Sequence, residues 1–327
     1  MTKKFKALVT QDSVHTAGID LLREVADVTV LPEDVGQAEV IKAVADADGI
    51  LARMPPITRE VVEVAPNLKI VARHGVGYDN VDLDACTDHN VVVTITANAN
   101  AISVSEYALA CMLNVSRKVA QSDKAIKAGI WDRKQAVGGE LLGKTLGIIG
   151  FGRVGSRLAK LVSGFDLQVL TCDPYISPDV VEGRATLVDL NTLLQESDFV
   201  TVHVPLNEET RYLIDAAALA QMKESAILIN TARGGIVNEV ELYEALTSGQ
   251  IAAAAIDVFE QEPLPPSYPL VQLDNILCSP HAAGQSTEAL VRMSVDAAQS
   301  ILQVFRGELP DAVVNTAVLN KVTLKAN

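Results

Sequence analysis

No run of about 18 apolar residues, the length that a membrane-spanning helix needs, occurs in the 327 residues of this sequence. The basic start of the chain, residues 1–13, contains an apolar stretch that is too short for a signal peptide. Glycine and proline, with 20 and 13 residues, are not in excess, which excludes the fibrous and low-complexity classes. We therefore expect a globular, cytoplasmic protein.

Cysteine is also scarce, and no two cysteines form a C-x-x-C pair. Cys86, Cys111, Cys172 and Cys278 are widely separated, and most of them lie in apolar stretches. Buried, reduced thiols are typical of this pattern, whereas metal sites and disulfide-rich scaffolds use clustered cysteines. We therefore predict neither a disulfide nor a metal site.

Basic residues are outnumbered, because 27 lysines and arginines face 41 acidic residues and give a formal net charge of −14. Such a charge repels nucleic-acid backbones and anionic membrane surfaces, so neither is an expected partner. It also opposes an anionic substrate, which would need basic side chains gathered at its site. The candidates for that role are Arg53, Arg73 and Arg233, each of which follows an apolar run.

The length exceeds the roughly 250 to 300 residues at which a single core stops growing, so two domains are expected. Short apolar runs alternate with helix-like stretches up to about residue 95, and a second such series runs from about residue 145 to residue 281. Repeated βα units of this kind predict parallel sheets. Residues 101–129 have the periodicity of one long helix. A last helix, from about Thr287 to Phe305, is expected to end at Gly307, before a tail that packs back on the first domain.

A glycine-rich motif opens the second series. Gly150, Gly152 and Gly155 form a G-x-G-x-x-G pattern directly after an apolar run and before a helix-like stretch. In dinucleotide-binding folds, these glycines allow a tight turn, the approach of a pyrophosphate and close helix–strand packing. Asp173 lies 18 residues beyond Gly155, near the roughly 20 expected for a carboxylate on the adenosine ribose. The motif predicts NAD as cofactor; the alternative is a plain turn with Asp173 as a loop cap.

Several motifs in this order resemble the D-isomer-specific 2-hydroxyacid dehydrogenases, and the phosphoglycerate dehydrogenase-like subgroup most of all. Two departures from that subgroup weaken an assignment to phosphoglycerate itself: Ala97 stands where proline is usual, and His281 begins an H-x-A-G-x-S/T pattern instead of H-x-G-A. The motifs that carry the resemblance are Arg73–Asp82, Val104–Leu113, Gly143–Gly155, Asn230–Glu239, Asp257–Pro263 and Ser279–Ala289.

The resemblance implies an α/β fold of two Rossmann- or flavodoxin-like doubly wound parallel-sheet domains with an active-site cleft between the lobes. Residues 1–99 and 287–327 would form the substrate-binding domain, and residues 100–286 the NAD-binding Rossmann domain. The implied activity is hydride transfer between NAD(H) and C2 of a small D-2-hydroxy or 2-keto acid, including acids with a second anionic group such as 3-phosphoglycerate. A homodimer is also implied.

Two alternatives remain at this stage. The first is a glyoxylate or hydroxypyruvate reductase. The second belongs to another class, an NAD-sensing binding protein similar to the C-terminal-binding-protein corepressors, which resemble this family. An intact catalytic set does not exclude that alternative, but nothing in the sequence supports it.

Three residues match the family's catalytic positions. His281 ends an apolar run, at the edge where open α/β sheets bind ligands, and matches the acid-base histidine. Glu262 matches its carboxylate partner, although its neighbour Glu260 is similar and either could be a solvated loop acid. Arg233 precedes two glycines that allow a sharp turn, and its guanidinium suits a substrate carboxylate. A surface ion pair is the alternative for Arg233.

The resemblance also assigns binding residues. Val76 and Gly77 would supply N–H groups to the substrate carboxylate, while His74 is as well explained by a hydrogen bond within its loop, and Arg73 by a structural role. Arg133 resembles a residue lent by a neighbouring subunit, with surface solvation as the alternative. The implied cofactor residues are Gly150, Gly152, Arg153, Val154, Gly155, Asp173, Pro205, Thr210, Thr231 and Asp257, and the implied substrate residues are Arg53, Arg73, His74, Val76, Gly77, Asn100, Arg233 and His281.

Overall fold

Two compact units make up the protein in a computed structural model, which describes residues 4–325. The first unit comprises Met1–Asn100 and Gln285–Asn327, and the second comprises Ala101–Gly284. The boundaries predicted from the sequence fall after residues 99 and 286.

The first unit contains a five-stranded sheet in which every neighbouring pair is parallel. The order is β2-β1-β3-β4-β5, so the chain moves outward in one direction from β1 and then in the other, which is the doubly wound arrangement. The strands are β1 (Phe5–Val9), β2 (Ala26–Val30), β3 (Gly49–Ala52), β4 (Ile70–Arg73) and β5 (Val92–Ile95).

Helices cover this sheet, and the last of them was predicted closely. It begins after Ser286, whose Oγ accepts the N–H of Ala289, and ends at Gly307, which has a positive φ of 78°. The expected stop at Gly307 is confirmed. The tail beyond it lies along β5, because the N–H of Val314 donates to the Val93 carbonyl. The helices are α1 (Thr16–Arg23), α2 (Gln37–Val44), α3 (Arg59–Glu63), α4 (Leu83–Asp88) and α12 (Thr287–Arg306), with a 3-10 helix at Thr316–Asn320.

The second unit contains a seven-stranded parallel sheet in the order β12-β11-β10-β9-β6-β7-β8. Successive strand residues enter the hydrophobic cores on opposite faces, as Leu228 and Ile229 do, which explains the continuous apolar runs in the sequence. The prediction of two doubly wound parallel sheets is therefore confirmed. The strands are β6 (Thr145–Ile149), β7 (Gln168–Cys172), β8 (Thr186–Leu187), β9 (Phe199–Val202), β10 (Ile227–Asn230), β11 (Ala253–Ile256) and β12 (Ile276–Cys278).

The single helix expected over residues 101–129 is wrong. Lys118 adopts a left-handed conformation with φ 52°, and the stretch divides there into two helices. The Asn114 side chain accepts the N–H of Ala120 at 3.1 Å, so it caps the second helix and competes with a continuous one. The helices of this unit are α5 (Ala101–Arg117), α6 (Val119–Lys127), α7 (Arg153–Leu161), α8 (Pro178–Val181), α9 (Leu190–Glu196), α10 (Ala216–Gln221) and α11 (Glu239–Ser248), with 3-10 helices at Val162–Phe165 and Pro269–Gln272. Over residues 4–325, no helix combines the length and apolarity that crossing a membrane requires.

Candidate active site

The three predicted catalytic residues follow three neighbouring strands of the second unit. Arg233 comes after β10, Glu262 after β11 and His281 after β12. Because these strands are parallel, their carboxyl ends meet at one edge of the sheet, where α/β proteins bind ligands. The glycine-rich turn follows β6 of the same sheet and so belongs to that edge too.

His281 and Glu262 are in direct contact. Nδ1 of the imidazole lies 2.8 Å from Oε2 of Glu262, and Oε1 of Glu262 accepts the N–H of Phe259 at 2.9 Å. Burial raises the pKa of Glu262. The hydrogen bonds from His281 and Phe259, together with the charges of His281 and Arg233, lower it by more, so the pKa ends below its usual value. Glu262 is therefore an ionised acceptor at neutral pH, and Nδ1 of His281 carries the proton between them.

A buried carboxylate shapes the turn that presents His281. The His281 backbone has a φ of 54°, which is uncommon for residues other than glycine. Asp257, which is only 1% exposed, accepts the N–H of Ala282 and that of Ala283 at 2.8 Å each, and its Oδ1 also accepts the Ser279 hydroxyl. These bonds hold the turn in place. Asp257 was predicted from the sequence only as a cofactor residue, which stays a prediction, and this structural role was not predicted.

Arg233 is half-buried beside the same loop. Its carbonyl accepts the side-chain N–H of Asn230 at 2.9 Å, and its guanidinium donates to the Ala232 carbonyl at 2.6 Å. The next residue, Gly234, packs so closely that a Cβ there would lie 2.0 Å from the Phe259 carbonyl oxygen. Glycine at this position thus lets the Arg233 turn and the Glu262 loop touch.

The glycine-rich turn has the shape that a dinucleotide requires. Gly150 has a φ of 90°, and a Cβ on Gly155 would lie 2.2 Å from the Gly150 carbonyl oxygen. A Cβ on Gly152 would meet nothing within 4 Å, so the space there is open. Gly152 is followed directly by α7, whose first residues are Arg153 and Val154, and the free N–H groups of a helix start attract anions.

Asp173 lies beside this turn, one residue after β7. Its Oδ2 accepts the N–H of Phe151 at 2.9 Å, and its Oδ1 accepts the N–H of Tyr175 at 3.0 Å. The carboxylate therefore joins the end of β7 to the glycine-rich turn. A ribose hydroxyl can still bind it, because each carboxylate oxygen accepts more than one hydrogen bond.

The remaining predicted cofactor residues also follow strands of this sheet. Pro205 comes shortly after β9, and its carbonyl accepts the Thr210 hydroxyl at 2.6 Å. Thr231 directly follows β10, and its hydroxyl is buried without a hydrogen-bond partner among residues 4–325. An orphaned hydroxyl and an open glycine turn are features that a bound dinucleotide would complete. The second unit therefore fits NAD, and the residues that would hold it stay a prediction.

The first unit holds the other predicted substrate residues. The Arg53 guanidinium donates to the Ser13 carbonyl and, at 3.4 Å, to the Gln285 side chain. Arg73 donates to Asn80 at 3.1 Å and to the His74 carbonyl, which supports its structural alternative. Val76 is exposed, Gly77 half-buried, and Asn100 directly precedes α5.

His74 and Asn80 complete this loop. His74 is 4% exposed, and burial, followed by the charges of Arg53 and Arg73, lowers the pKa of His74 to about 3, so the ring is neutral. Asn80 donates to the Arg53 carbonyl at 2.9 Å while it accepts from Arg73, and so it ties the two segments together. Asn80 was not predicted from the sequence, although it lies within the motif Arg73–Asp82. Arg133 lies in a fully exposed segment.

Comparison with known proteins gives consistent matches. The chain is 42% identical over 313 residues to a D-3-phosphoglycerate dehydrogenase of Methanocaldococcus jannaschii, an alignment that covers 95% of this chain and 59% of that relative. It is 40% identical to a glyoxylate reductase of Thermofilum pendens, with 92% of each chain covered. The crystal structure of the TT0316 protein from Thermus thermophilus superposes with a TM-score of 0.89 at 33% identity, covering 95% of this chain and 100% of that one.

The chain thus spans about three-fifths of its phosphoglycerate dehydrogenase relative but nearly all of the reductase. Residues 109–283 match the family model described as D-isomer specific 2-hydroxyacid dehydrogenase, NAD binding domain. That match covers more than half of the chain and includes the glycine-rich turn, Arg233, Glu262 and His281. The chain therefore belongs to the D-isomer-specific 2-hydroxyacid dehydrogenase family.

Proposed function

We propose that the chain is an NAD-dependent dehydrogenase that moves a hydride between nicotinamide and carbon 2 of a small D-2-hydroxy acid. The observation that carries this proposal is the hydrogen bond between His281 and Glu262, at the sheet edge that also presents Arg233. The similarity to proteins named phosphoglycerate dehydrogenase and glyoxylate reductase supports it.

His281 handles the proton in this reaction. When bound, the nicotinamide ring supplies the acceptor for the hydride that leaves carbon 2. The substrate O–H bond breaks at the same time, its proton passes to Nε2 of His281, and a C=O bond forms. Nε2 is the reacting atom because Nδ1 is already bonded to Glu262. In keto-acid reduction, the protonated ring returns the proton to the oxygen.

Arg233 binds the substrate's carboxylate and polarises the reacting carbonyl. A guanidinium offers two parallel N–H groups, which match a carboxylate, and it stays charged at every physiological pH. The local positive charge also offsets the net charge of −14, which would otherwise repel an anionic substrate. We also propose that backbone N–H groups of Val76 and Gly77 bind the substrate.

A second anionic group on the substrate is the finer part of this proposal. Burial lowers the pKa of Arg53 and the charge of Glu33 raises it, yet a guanidinium remains cationic at neutral pH. The neighbouring His74 ring is neutral, so it adds hydrogen-bonding capacity without charge. A phosphate or carboxylate on carbon 3 of the substrate would suit the Arg53 guanidinium, whereas glyoxylate has no second anionic group.

A panel of 2-keto acids tests both levels of the proposal. NADH absorbance is followed while pyruvate, glyoxylate, hydroxypyruvate and phosphohydroxypyruvate are supplied in turn. We expect NADH oxidation, with the lowest KM for the phosphorylated acid and a loss of that preference in Arg53→Ala. Equal KM values for the four keto acids would contradict the proposal of a second anionic group on the substrate and would favour a simple reductase. NADH binding without oxidation of any keto acid would favour an NAD-sensing binding protein.

A homodimer and a cytoplasmic location complete the proposal. Helix α6 has no buried residue, and the segment after it is exposed, which is typical of a surface that a second copy covers. The four cysteines Cys86, Cys111, Cys172 and Cys278 are free thiols, as suits a reducing compartment. The exposed apolar residues of α6 and of the segment after it are Val119, Ile126, Ile130, Trp131, Val137 and Leu142.

Light scattering tests the dimer. We expect a dimer mass for the unaltered chain and a monomer mass for a variant with Ile126→Glu and Trp131→Glu. Val240→Glu is the matched control, because Val240 is an equally exposed apolar residue on another helix, 70% exposed against 54% and 82%. A monomer mass that does not change with concentration in the unaltered chain would remove this part of the proposal.

A further inference from the structure

A buried carboxylate lies behind the loop that carries Glu262. Glu239 is the first residue of α11 and is only 5% exposed. It is the last residue of the motif Asn230–Glu239, and it is not one of the predicted binding or catalytic residues. Burying a carboxylate is costly unless its oxygens are hydrogen-bonded, so the partners of Glu239 indicate what it does.

Both oxygens of Glu239 bind the loop after β11. Oε1 accepts the N–H of Glu260 at 2.6 Å, and Oε2 accepts a short hydrogen bond from the Tyr268 hydroxyl. The Tyr268 ring packs edge-on against Phe259, with ring centroids 6.3 Å apart and an interplanar angle of 82°. Glu239 thus grips this loop at two points eight positions apart in the chain.

The segment around the Phe259–Glu260 peptide, whose N–H donates to Glu239, contacts both halves of the catalytic set. The Phe259 N–H holds Oε1 of Glu262, whose other oxygen faces His281. On the other side, a Cβ on Gly234 would lie 2.5 Å from the backbone nitrogen of Glu260, so the turn that follows Arg233 rests on the same peptide. A shift of this peptide would move Glu262 away from His281.

The two hydrogen bonds of Glu239 form although other acidic residues lie nearby. Burial raises the pKa of Glu239, the hydrogen bonds from Tyr268 and from the Glu260 N–H lower it, and the charges of Glu260 and Glu262 raise it again, for a net increase. Glu260 accepts a hydrogen bond from the Tyr212 hydroxyl at 2.9 Å. Burial, and then the charge of Glu239, raises the pKa of the nearby Cys278 thiol to about 11. The titratable groups that interact with Glu239 are therefore two acids, Glu260 and Glu262, the Tyr268 phenol and the Cys278 thiol.

We propose that Glu239 is a positioning residue that holds the Phe259–Glu260 peptide in place, so that Glu262 faces His281 beside the Arg233 turn. It acts through hydrogen bonds and touches neither substrate nor cofactor. This inference rests on the proposed function of the His281–Glu262 pair.

Three variants test it with steady-state kinetics. Glu239→Ala removes both acceptors, and we expect kcat to fall by up to about 100-fold with an unchanged KM for NADH. Glu239→Gln keeps an oxygen for the Glu260 N–H and an amide for Tyr268, so it is expected to retain most activity. Glu241→Ala is the matched control from the same helical turn, because its carboxylate accepts the Ala216 N–H instead, and activity is expected to persist.

The pH profile separates positioning from a general loss of structure. If Glu262 moves off His281, the protonated ring loses its carboxylate partner and releases its proton at lower pH. Keto-acid reduction needs the protonated ring, so its basic limb moves to lower pH in Glu239→Ala. In a Glu262→Gln background, the same substitution is expected to cause no further shift, because the partner is already neutral.

Nitrogen NMR of the His281 ring gives a readout that does not need turnover. The pH at which the ring loses its proton is expected to fall in Glu239→Ala and to stay unchanged in Glu241→Ala. If Glu239→Ala does not fold, Tyr268→Phe, which keeps the ring and removes the hydroxyl, is expected to shift the titration in the same direction. A folded variant with an unaltered titration would overturn the proposal. Failure of every keto acid to oxidise NADH would instead overturn the proposed function and leave the NMR test valid.

Discussion

Nδ1 of His281 is hydrogen-bonded to Oε2 of Glu262 at 2.8 Å, while Oε1 of the same carboxylate is held by the Phe259 N–H. The pair fixes the ring orientation and reserves Nε2 for exchange with a substrate. The His281 side chain is 43% exposed and that of Glu262 is 30% exposed, so the histidine is the more accessible partner. The two residues therefore have different parts in the reaction, and their substitutions are expected to differ.

His281→Ala is expected to lower keto-acid reduction by about 10²- to 10⁴-fold, the usual contribution of a positioned acid or base. NADH binding, measured by fluorescence titration, is expected to stay close to that of the unaltered chain, because the glycine-rich turn follows a different strand. His89→Ala, directly after the short helix α4 of the first unit, is the control and is expected to retain activity. Nearly full reduction by His281→Ala, free of contaminating enzyme, would show that another group supplies the proton.

Glu262→Gln is expected to move the basic limb of keto-acid reduction to lower pH and to spare more activity than His281→Ala. A carboxylate partner favours the charged form of an imidazole, so removing the charge of this hydrogen-bonded partner favours deprotonation at lower pH. The pH dependence of kcat/KM is the measurement. Glu260→Gln is expected to give a smaller shift, because the Glu260 carboxylate bonds to Tyr212. Equal shifts in both variants would mean that nearby negative charge, and not the hydrogen bond between His281 and Glu262, sets the pH of the basic limb.

The location of these residues could be predicted from sequence because each stands just after an apolar run. In a parallel sheet, that places Arg233, Glu262 and His281 at one edge, whatever the details of the loops. The glycine motif was predictable for the same reason, since strand, turn and helix are local in sequence. Family motifs then distinguished Glu262 from Glu260, which composition and spacing alone do not.

Contacts between loops could not be read from the sequence. The bonds of Asp257 to Ala282 and Ala283 join segments that are distant in the chain, and no periodicity marks them. The helix break at Lys118 was missed because the apolar pattern continues through it. A side chain four residues earlier, Asn114, decides the break by capping the next helix, and such a choice depends on geometry.

Asp173→Asn is expected to weaken NADH binding and relax selection against NADPH, because it removes the charge that repels a 2′-phosphate. Hydrogen bonds to a charged group are worth about 1.5–3 kcal/mol, so the NADH-to-NADPH preference is expected to fall roughly 10- to 100-fold. An asparagine oxygen still accepts the Phe151 N–H, which keeps the turn intact. Asp173→Ala loses that bond too and is expected to bind both dinucleotides more weakly. An unchanged preference in Asp173→Asn would contradict the assignment of Asp173 to the ribose.

An added methyl group is expected to lower the stability of the fold at one glycine of this motif and to leave it unchanged at another. A Cβ at Gly155 would lie 2.2 Å from the Gly150 carbonyl oxygen and 2.9 Å from Ile148, so Gly155→Ala is expected to destabilise the fold by about 1–3 kcal/mol. A Cβ at Gly152 would meet nothing within 4 Å, so Gly152→Ala is expected to unfold at the same temperature as the unaltered chain.

The difference between these two variants appears when NADH is added during thermal unfolding. NADH is expected to raise the unfolding temperature of the unaltered chain, because it binds only the folded state. Gly152→Ala is expected to lose most of this increase, since its methyl group fills the open space where the pyrophosphate approaches the backbone. An equal increase in Gly152→Ala would mean that the dinucleotide does not approach the turn at Gly152, and it would remove the physical reason for glycine there.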